Sequence, residues 1–193
     1  MRLNQVPSVS DGRGGIDARL QSFRDDHRGV AGIEFALVAG VLCILLLNGI
    51  EVARYAYIVM QVQNAAQIGA QSAWKACDPT KELPATTQCA SLIDTVATAV
   101  TSTTLGTSVK LRDNSPTEAY YCLNNANALI PDAGIPLANK PTDCNTIPGA
   151  RAGKPGDYIR IDVTYQYKPL FLDFTVGRLF APTISKSTFM RLL

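Results

Sequence analysis

The sequence predicts an α+β fold in which one long N-terminal helix is followed by a second helix and a small antiparallel β-sheet. Three observations support this prediction. An uncharged apolar run over residues 35–47 lies inside a longer apolar segment. Residues 48–76 contain no proline and repeat apolar side chains near the helical period. Residues 157–167 alternate apolar and polar side chains, which is typical of a half-buried strand.

The apolar segment has the length of a membrane span. It covers residues 30–50, which is close to the roughly 20 residues that cross a bilayer as a helix. Glu34 lies inside this segment, where a charge opposes insertion by about 2.5–3.5 kcal/mol at the centre and by less near the end. A carboxylate at this position therefore needs a stabilising partner.

Gly29 suggests what that partner is. A cut between Gly29 and Val30 would give Val30 a free amine and would make Glu34 the fifth residue of the shortened chain. Because residues four apart share one face of a helix, Glu34 would then neutralise its own amine or that of a neighbouring subunit. A carboxylate near a helix N-terminus is also favoured by the helix dipole. The alternative is an uncleaved anchor whose glutamate reaches the membrane surface or a neighbouring helix.

The residues around this position resemble a known processing signal. Residues 27–38, HRGVAGIEFALV, resemble the class III signal of the type IV pilin superfamily and, within it, the TadE-like pilus-assembly proteins of tight-adherence (Flp) pili. Val30 stands where many pilins have an aromatic residue. Two later segments, YIRIDVTYQYKPLF and FMRLL, resemble the C-terminal half of the same proteins. The resemblance implies a pilin-like fold, and it does not extend over residues 78–150.

The resemblance also implies a function. It indicates a minor pilin, or pseudopilin, that is required for assembly of a tight-adherence pilus and contributes to surface adhesion. Prepilin peptidase would cut between Gly29 and Val30, and Glu34 would set the register between subunits. The implied partners are the membrane, the prepilin peptidase, the major Flp-type pilin, a TadF-like minor pilin and the inner-membrane assembly platform. The alternative is an uncleaved, single-pass periplasmic scaffold or adhesion protein.

Basic residues predict the orientation in the membrane. Arg54 is the only basic residue in the first stretch after the apolar segment, whereas five arginines precede it. The positive-inside rule therefore places the N-terminus in the cytoplasm and the C-terminal part in the periplasm. The expected location is the bacterial inner membrane, with the extracellular pilus as a second location after assembly. The arginines before the segment are Arg2, Arg13, Arg19, Arg24 and Arg28.

These features divide the chain into four parts. We predict a cytoplasmic leader over residues 1–29 and a transmembrane helix over residues 30–52. The helix is expected to continue outside the membrane over residues 53–77 and to be followed by a small α+β domain over residues 78–193. The apolar stripe of the outer helix is expected to include Ile50, Ala53, Tyr57, Met60, Ala65, Ile68 and Trp74.

Within the C-terminal domain, shorter patterns predict the remaining elements. A second helix is expected over residues 88–103, and strands over residues 107–112, 118–123 and 183–193, besides the clear strand over residues 157–167. No periodicity is seen over residues 124–156, which are rich in Asn, Pro and Gly and are expected to form a loop.

Four of the five cysteines follow the apolar segment, and the fifth, Cys43, lies in its middle. An even number of cysteines in an oxidising compartment is typical of disulfides. Three pairings are possible, and short loops favour Cys77–Cys89 and Cys122–Cys144. Each bridge would contribute about 2–4 kcal/mol. Zinc is the less favoured alternative, because the spacing contains no closely spaced cysteine pair.

Charge and histidine content argue against several function classes. The net charge is +2, and no cluster of Lys or Arg indicates nucleic-acid binding. The single histidine, His27, precedes the apolar segment, so a Ser-His hydrolase site is excluded beyond it. We expect a protein that is not an enzyme and that holds no cofactor and no metal.

Overall fold

The structure is a computed structural model that describes residues 28–78, 81–131, 136–137, 139–171 and 175–192. The predicted leader therefore lies almost wholly outside the described residues. The chain divides into two compact units, Met1–Leu47 and Asn48–Leu193. In the first unit the described residues are helical, and the second unit contains helices and an antiparallel sheet. The predicted α+β class, with the pilin-like order of a long apolar helix, a short helix and a sheet, is confirmed.

The long helix, α1, runs from Arg28 to Ala76. It begins two residues before and ends one residue before the predicted bounds, residues 30 and 77. Alanine, leucine, glutamine and valine make up much of its length, and no proline interrupts it. Among the described residues, it is the one helix that is long and apolar enough to cross a membrane.

In the second unit, the buried face of α1 differs from the predicted stripe. Tyr57, Met60 and Trp74 were expected to face the core, but their exposed fractions are 52%, 61% and 50%. From Ala65 onward, the buried residues of α1 are small, which allows close approach of other elements. A Cβ atom on Gly69 would lie 2.9 Å from a methyl group of Val100. The buried residues of this face are Glu51, Ile58, Val62, Ala65, Ala66, Ala70 and Ala73.

A short helix, α2, spans Ala85–Gln88, and α3 spans Leu92–Thr101. The second helix predicted over residues 88–103 is present as α3, which begins four residues later and ends two residues earlier than predicted. Between α2 and α3, Cys89 adopts an extended backbone with φ −96° and ψ 96°, which ends α2. Cys89 is also bonded to Cys77 at the end of α1.

Within the described residues, the sheet has five antiparallel strands: β1 (Val109–Leu111), β2 (Thr117–Leu123), β3 (Leu129–Pro131), β4 (Gly156–Gln166) and β5 (Thr183–Arg191). The central strand, β4, pairs with β5 along nearly its whole length, and with β1 and β2 at residues 163–165 and 156–160, respectively. Since a strand has only two edges, β1 and β2 share the second edge of β4, and β3 pairs with the other edge of β2.

A bend separates β1 from β2 along their common edge. The Arg112 N–H donates to the Asp162 carbonyl at 2.9 Å, and the Asp162 N–H donates to the Ser115 hydroxyl at 2.9 Å. Asn114 has a φ of 65°, a left-handed conformation that asparagine tolerates better than most residues. The two strands therefore act as one interrupted edge strand.

The main core lies between α1, α3 and the inner face of the sheet, all within the second unit. Ile159, Ile161 and Val163 of β4 are fully buried, which confirms the predicted inner face of this strand. The region predicted as a loop over residues 124–156 includes β3, which was missed because it is three residues long. A smaller cluster of Cys122, Cys144 and Ile147 packs beneath this region.

Candidate functional site

The predicted cleavage position lies at the beginning of α1. Gly29 and Val30 are both helical, Val30 is 52% exposed, and a Cβ on Gly29 would meet no atom within 4 Å. Glu34 is exposed and lies one helical turn after Val30, on the same face. Since α1 begins at Arg28, Glu34 lies beyond the first turn of the uncut helix. The cleavage and register roles of these three residues remain predictions.

The rest of α1 in the first unit presents an apolar surface. None of the 18 residues in its most apolar stretch is buried. Side chains of this size and number are unusual at a water-exposed surface, so this segment needs a membrane or other helices around it. Cys43, also exposed, lies in the same segment. The large exposed side chains are Val30, Ile33, Phe35, Leu37, Val38, Val41, Leu42, Ile44, Leu45 and Leu46.

Glu51 forms a buried polar site that the sequence did not indicate. Its side chain is fully buried within the second unit. The Tyr167 hydroxyl donates to Oε1 of Glu51, and the Leu170 N–H lies 3.2 Å from both carboxylate oxygens. Arg54 lies one turn along the helix, with its Nη1 3.8 Å from Oε1. The carboxylate thus accepts hydrogen bonds from two groups and lies near a guanidinium, although position 51 falls in the predicted membrane segment.

Neighbouring contacts hold the same two chain segments together. The Val176 N–H donates to Oδ1 of Asn48 at 2.8 Å, and Nη1 of Arg54 donates to the Lys168 carbonyl at 2.8 Å. Gly177 packs directly on Glu51, since a Cβ there would lie 3.0 Å from Cγ of Glu51. We call this set of contacts the Glu51 clamp: it joins residues 48–54 of α1 to residues 167–170 and 176–177.

Aromatic side chains complete the clamp. Tyr55 stacks on Phe180 with ring centroids 4.3 Å apart. Its ring also meets the edge of Tyr167 at 5.0 Å. Burial, reinforced by the hydrogen bond to Glu51, raises the pKa of Tyr167 to about 12. Tyr167 therefore stays protonated and donates its hydrogen bond over the whole physiological pH range.

The clamp was missed because its signal is not local. Glu51 and Arg54 read as the ordinary polar continuation of a helix after its apolar run. The sequence instead indicated Glu34, which lies among apolar residues in sequence but is exposed in the structure. The nearest sequence signal was Tyr167, an apolar position in the alternating pattern over residues 157–167, which lies directly after β4 and is buried.

Both cysteine pairs favoured by the sequence are bonded in the structure. Cys77 and Cys89 have Cα atoms 5.8 Å apart and join the end of α1 to the chain before α3. Cys122 and Cys144 have Cα atoms 5.9 Å apart and tie the region after β3 to β2. Glu82 lies near the first pair, but thiols joined in a disulfide do not serve as zinc ligands.

Besides Glu51, two further acidic residues of the described chain are buried: Asp157 at the start of β4 and Glu118 on β2. Asp157 and Glu118 are 2% and 9% exposed, and Glu118 accepts hydrogen bonds from the N–H and hydroxyl of Thr86. One oxygen of each carboxyl group has no hydrogen-bond partner within the described residues. Burial, together with the charge of Glu118, raises the pKa of Asp157 to about 6. Lys140 acts in the opposite direction and lowers it.

Comparison with known families identifies one of these regions. Residues 29–71 match the sequence profile of the family described as TadE-like protein. The match begins at Gly29, includes Glu34 and Glu51, and ends in the part of α1 that packs in the core. The resemblance predicted for the N-terminal region is confirmed over these residues. Neither the curated proteins nor the solved structures provide a match to the chain.

Proposed function

We propose that this protein is a TadE-like minor pilin that takes part in assembly of a tight-adherence pilus. The observation that carries the proposal is the match of residues 29–71 to the TadE-like family. This family supports a role in pilus assembly and a structural rather than an enzymatic protein. The exposed apolar surface of the same segment is what a subunit needs to reside in a membrane and then pack against other helices.

The proposed membrane arrangement follows the predicted division of the chain. Residues 1–29 form a cytoplasmic leader, residues 30–52 cross the inner membrane, and the remainder lies in the periplasm. Two disulfides beyond the apolar segment support an oxidising compartment for that part. The excess of arginines before the segment supports the same orientation.

Processing by prepilin peptidase is proposed between Gly29 and Val30. A protease acts on an extended chain, so the first turn of α1 has to open before the bond is cut. Glycine is among the poorest helix formers, and opening at Gly29 therefore costs less than at the residues that follow. The cut would leave a new amine four residues from Glu34.

Assembly would then depend on helices packed side by side. An unpaired carboxylate in an apolar bundle is costly, so Glu34 favours the stagger in which it meets the amine of a neighbouring subunit. The proposed neighbours are the major Flp-type pilin and a TadF-like minor pilin, brought together at the inner-membrane assembly platform. The second unit would be presented at the pilus surface and would contribute to adhesion.

Intact mass and N-terminal sequencing of the protein from native membranes test this proposal. We expect a chain that starts at Val30 and lacks the mass of residues 1–29. Gly29→Leu should block this cut, whereas Gly32→Leu should not. Gly32 is a matched control because a Cβ at either glycine meets no atom within 4 Å. A chain that starts at Met1 would overturn the processing step and favour the uncleaved periplasmic scaffold.

A further inference from the structure

The chain after β4 exposes large apolar side chains near residues 48–54 of α1. Leu170, Phe171 and Leu179 are 55%, 37% and 83% exposed. Lys168 and Arg178, within two positions of these residues in sequence, are exposed as well. We call these five residues the loop patch. We propose that the loop patch inserts into the outer surface of the phospholipid bilayer that holds α1, so that the second unit rests on the membrane.

The Glu51 clamp fixes the level of the loop patch along α1. Lys168 is held at the level of Arg54, and Leu170 at the level of Glu51, one turn closer to the apolar segment. After the loop, the Val176 N–H donates to Asn48, which lies about one further turn closer to the apolar segment. The two segments that carry the loop patch, residues 168–171 and 175–180, therefore lie beside the first residues of α1 in this unit.

The apolar run in the sequence stops at this same level. It ends at Leu47, and Asn48 is the first polar residue after it. Residues 30–47 would form a helix about 27 Å long at 1.5 Å per residue, close to the hydrocarbon thickness of roughly 30 Å. The boundary between acyl chains and headgroups then falls near Asn48, so that residues 48–52 of the proposed 30–52 span lie among the headgroups. Exposed apolar side chains at that boundary would meet lipid.

The composition of the loop patch fits a lipid partner of negative charge. Peripheral segments typically bury their apolar side chains about 5–10 Å below the headgroups. Lysine and arginine beside them keep their charged ends at the headgroups while their stems lie along apolar surface. Each basic residue near an anionic surface contributes about 1 kcal/mol. Within the described residues of the loop patch, Lys168 and Arg178 supply this charge.

Tryptophan fluorescence in vesicles tests the inference, which rests on the membrane anchoring in the proposed function. The chain has a single tryptophan, Trp74, so Trp74→Phe gives a silent background for the full-length protein. Leu179→Trp would report on the loop patch, and Leu45→Trp on the anchor. The vesicles contain equal amounts of phosphatidylglycerol and phosphatidylcholine, with the phosphatidylcholine brominated on its acyl chains so that it quenches nearby tryptophan.

A third reporter, Ile93→Trp, serves as the matched control. Ile93 is an exposed apolar residue of α3, at 59% exposure. Val96 and Val100 of the same helix lie against Gly69, about 20 residues beyond Asn48 and so about 30 Å along α1. Brominated lipid should remove most of the emission of Leu179→Trp and Leu45→Trp and leave that of Ile93→Trp unchanged.

The outcomes separate the inference from the proposed function. If Leu45→Trp is quenched and Leu179→Trp is not, the anchor stands and the membrane contact of the loop patch is overturned. If Leu45→Trp is not quenched, the anchor itself fails, and the inference fails with it. Adding Lys168→Glu and Arg178→Glu should reduce the quenching of Leu179→Trp in these vesicles. Unchanged quenching in that variant would overturn the contribution of the two basic residues.

Discussion

The Tyr167 hydroxyl donates a hydrogen bond to the buried carboxylate of Glu51, although 116 positions separate the two residues in sequence. The bond joins the end of the central strand to the long helix. It also satisfies a carboxylate that is buried close to an apolar segment, because the Leu170 N–H provides a further donor and the Arg54 guanidinium lies 3.8 Å away. Hydrogen bonds to a charged group typically contribute about 1.5–3 kcal/mol each.

Removal of the Glu51 carboxylate should destabilise the second unit. Glu51→Ala would leave the Tyr167 hydroxyl and the Leu170 N–H without their acceptor in a buried place. We expect the free energy of unfolding to fall by about 2–5 kcal/mol. Denaturant unfolding of the full chain in detergent, followed by circular dichroism, measures this. Glu34→Ala is the matched control, because Glu34 is exposed; an equal loss in both variants would contradict the structural role of Glu51.

Replacement of Glu34 should affect incorporation into pili rather than stability. Because it is exposed on the apolar part of α1, Glu34→Gln should leave insertion and stability unchanged. If it pairs with the amine of a neighbouring subunit, its loss should sharply reduce incorporation into pili. The measurement is the amount of this subunit in sheared pili relative to the amount in the inner membrane. Normal incorporation of Glu34→Gln would exclude a role in register.

Loss of each of the two disulfides should destabilise a different region of the second unit. Replacing Cys77 and Cys89 by serine should lower the stability of the main core by about 2–4 kcal/mol, because the bridge joins α1 to the chain before α3. Replacing Cys122 and Cys144 should act mainly on residues 124–155. Limited proteolysis distinguishes the two, since only the second variant should be cut early within that range. Identical cleavage of both variants would contradict this division.

The pair of Asp157 and Glu118 should make stability depend on pH. Because the pKa of Asp157 is raised from 3.8 to about 6, the folded state binds more protons than the unfolded state between these values. Stability should therefore fall as the pH rises from about 4 to about 6 and then level off. At 1.36 kcal/mol per pKa unit, the loss is on the order of 2–3 kcal/mol.

Asp157→Asn should remove this slope. The amide cannot ionise, so the variant should be more stable than the parent chain above pH 6. Unfolding midpoints measured at several pH values provide the test, and Asp113→Asn, at an exposed turn, is the control. A parent chain whose stability rises between pH 4 and pH 6, with the same rise in Asp157→Asn, would contradict the prediction.

The regular elements were predictable because their patterns are local. Alternation in β4 correctly assigned Ile159, Ile161 and Val163 to the core, since a half-buried strand repeats every two residues. The length of α1 followed from an apolar and alanine-rich stretch without proline. The family resemblance at Gly29 and Glu34 was also visible, because it depends on a short contiguous motif.

Features that depend on tertiary contacts were not predictable. The stripe through Tyr57, Met60 and Trp74 favoured large residues, but close packing at Gly69 requires small ones. Glu51 could not be recognised as a buried acceptor, because its donors come from a segment more than 110 positions away.

The position of β5 has a consequence for how the protein is made. Until residues 183–191 have been synthesised, one edge of β4 lacks the strand that pairs with it. An unpaired edge is a site for misassociation with other chains. Contacts between residues far apart in sequence also form slowly, because a long loop has to close first. The second unit therefore completes its fold only after synthesis of β5, and any protection of β4 before then has to come from outside the chain.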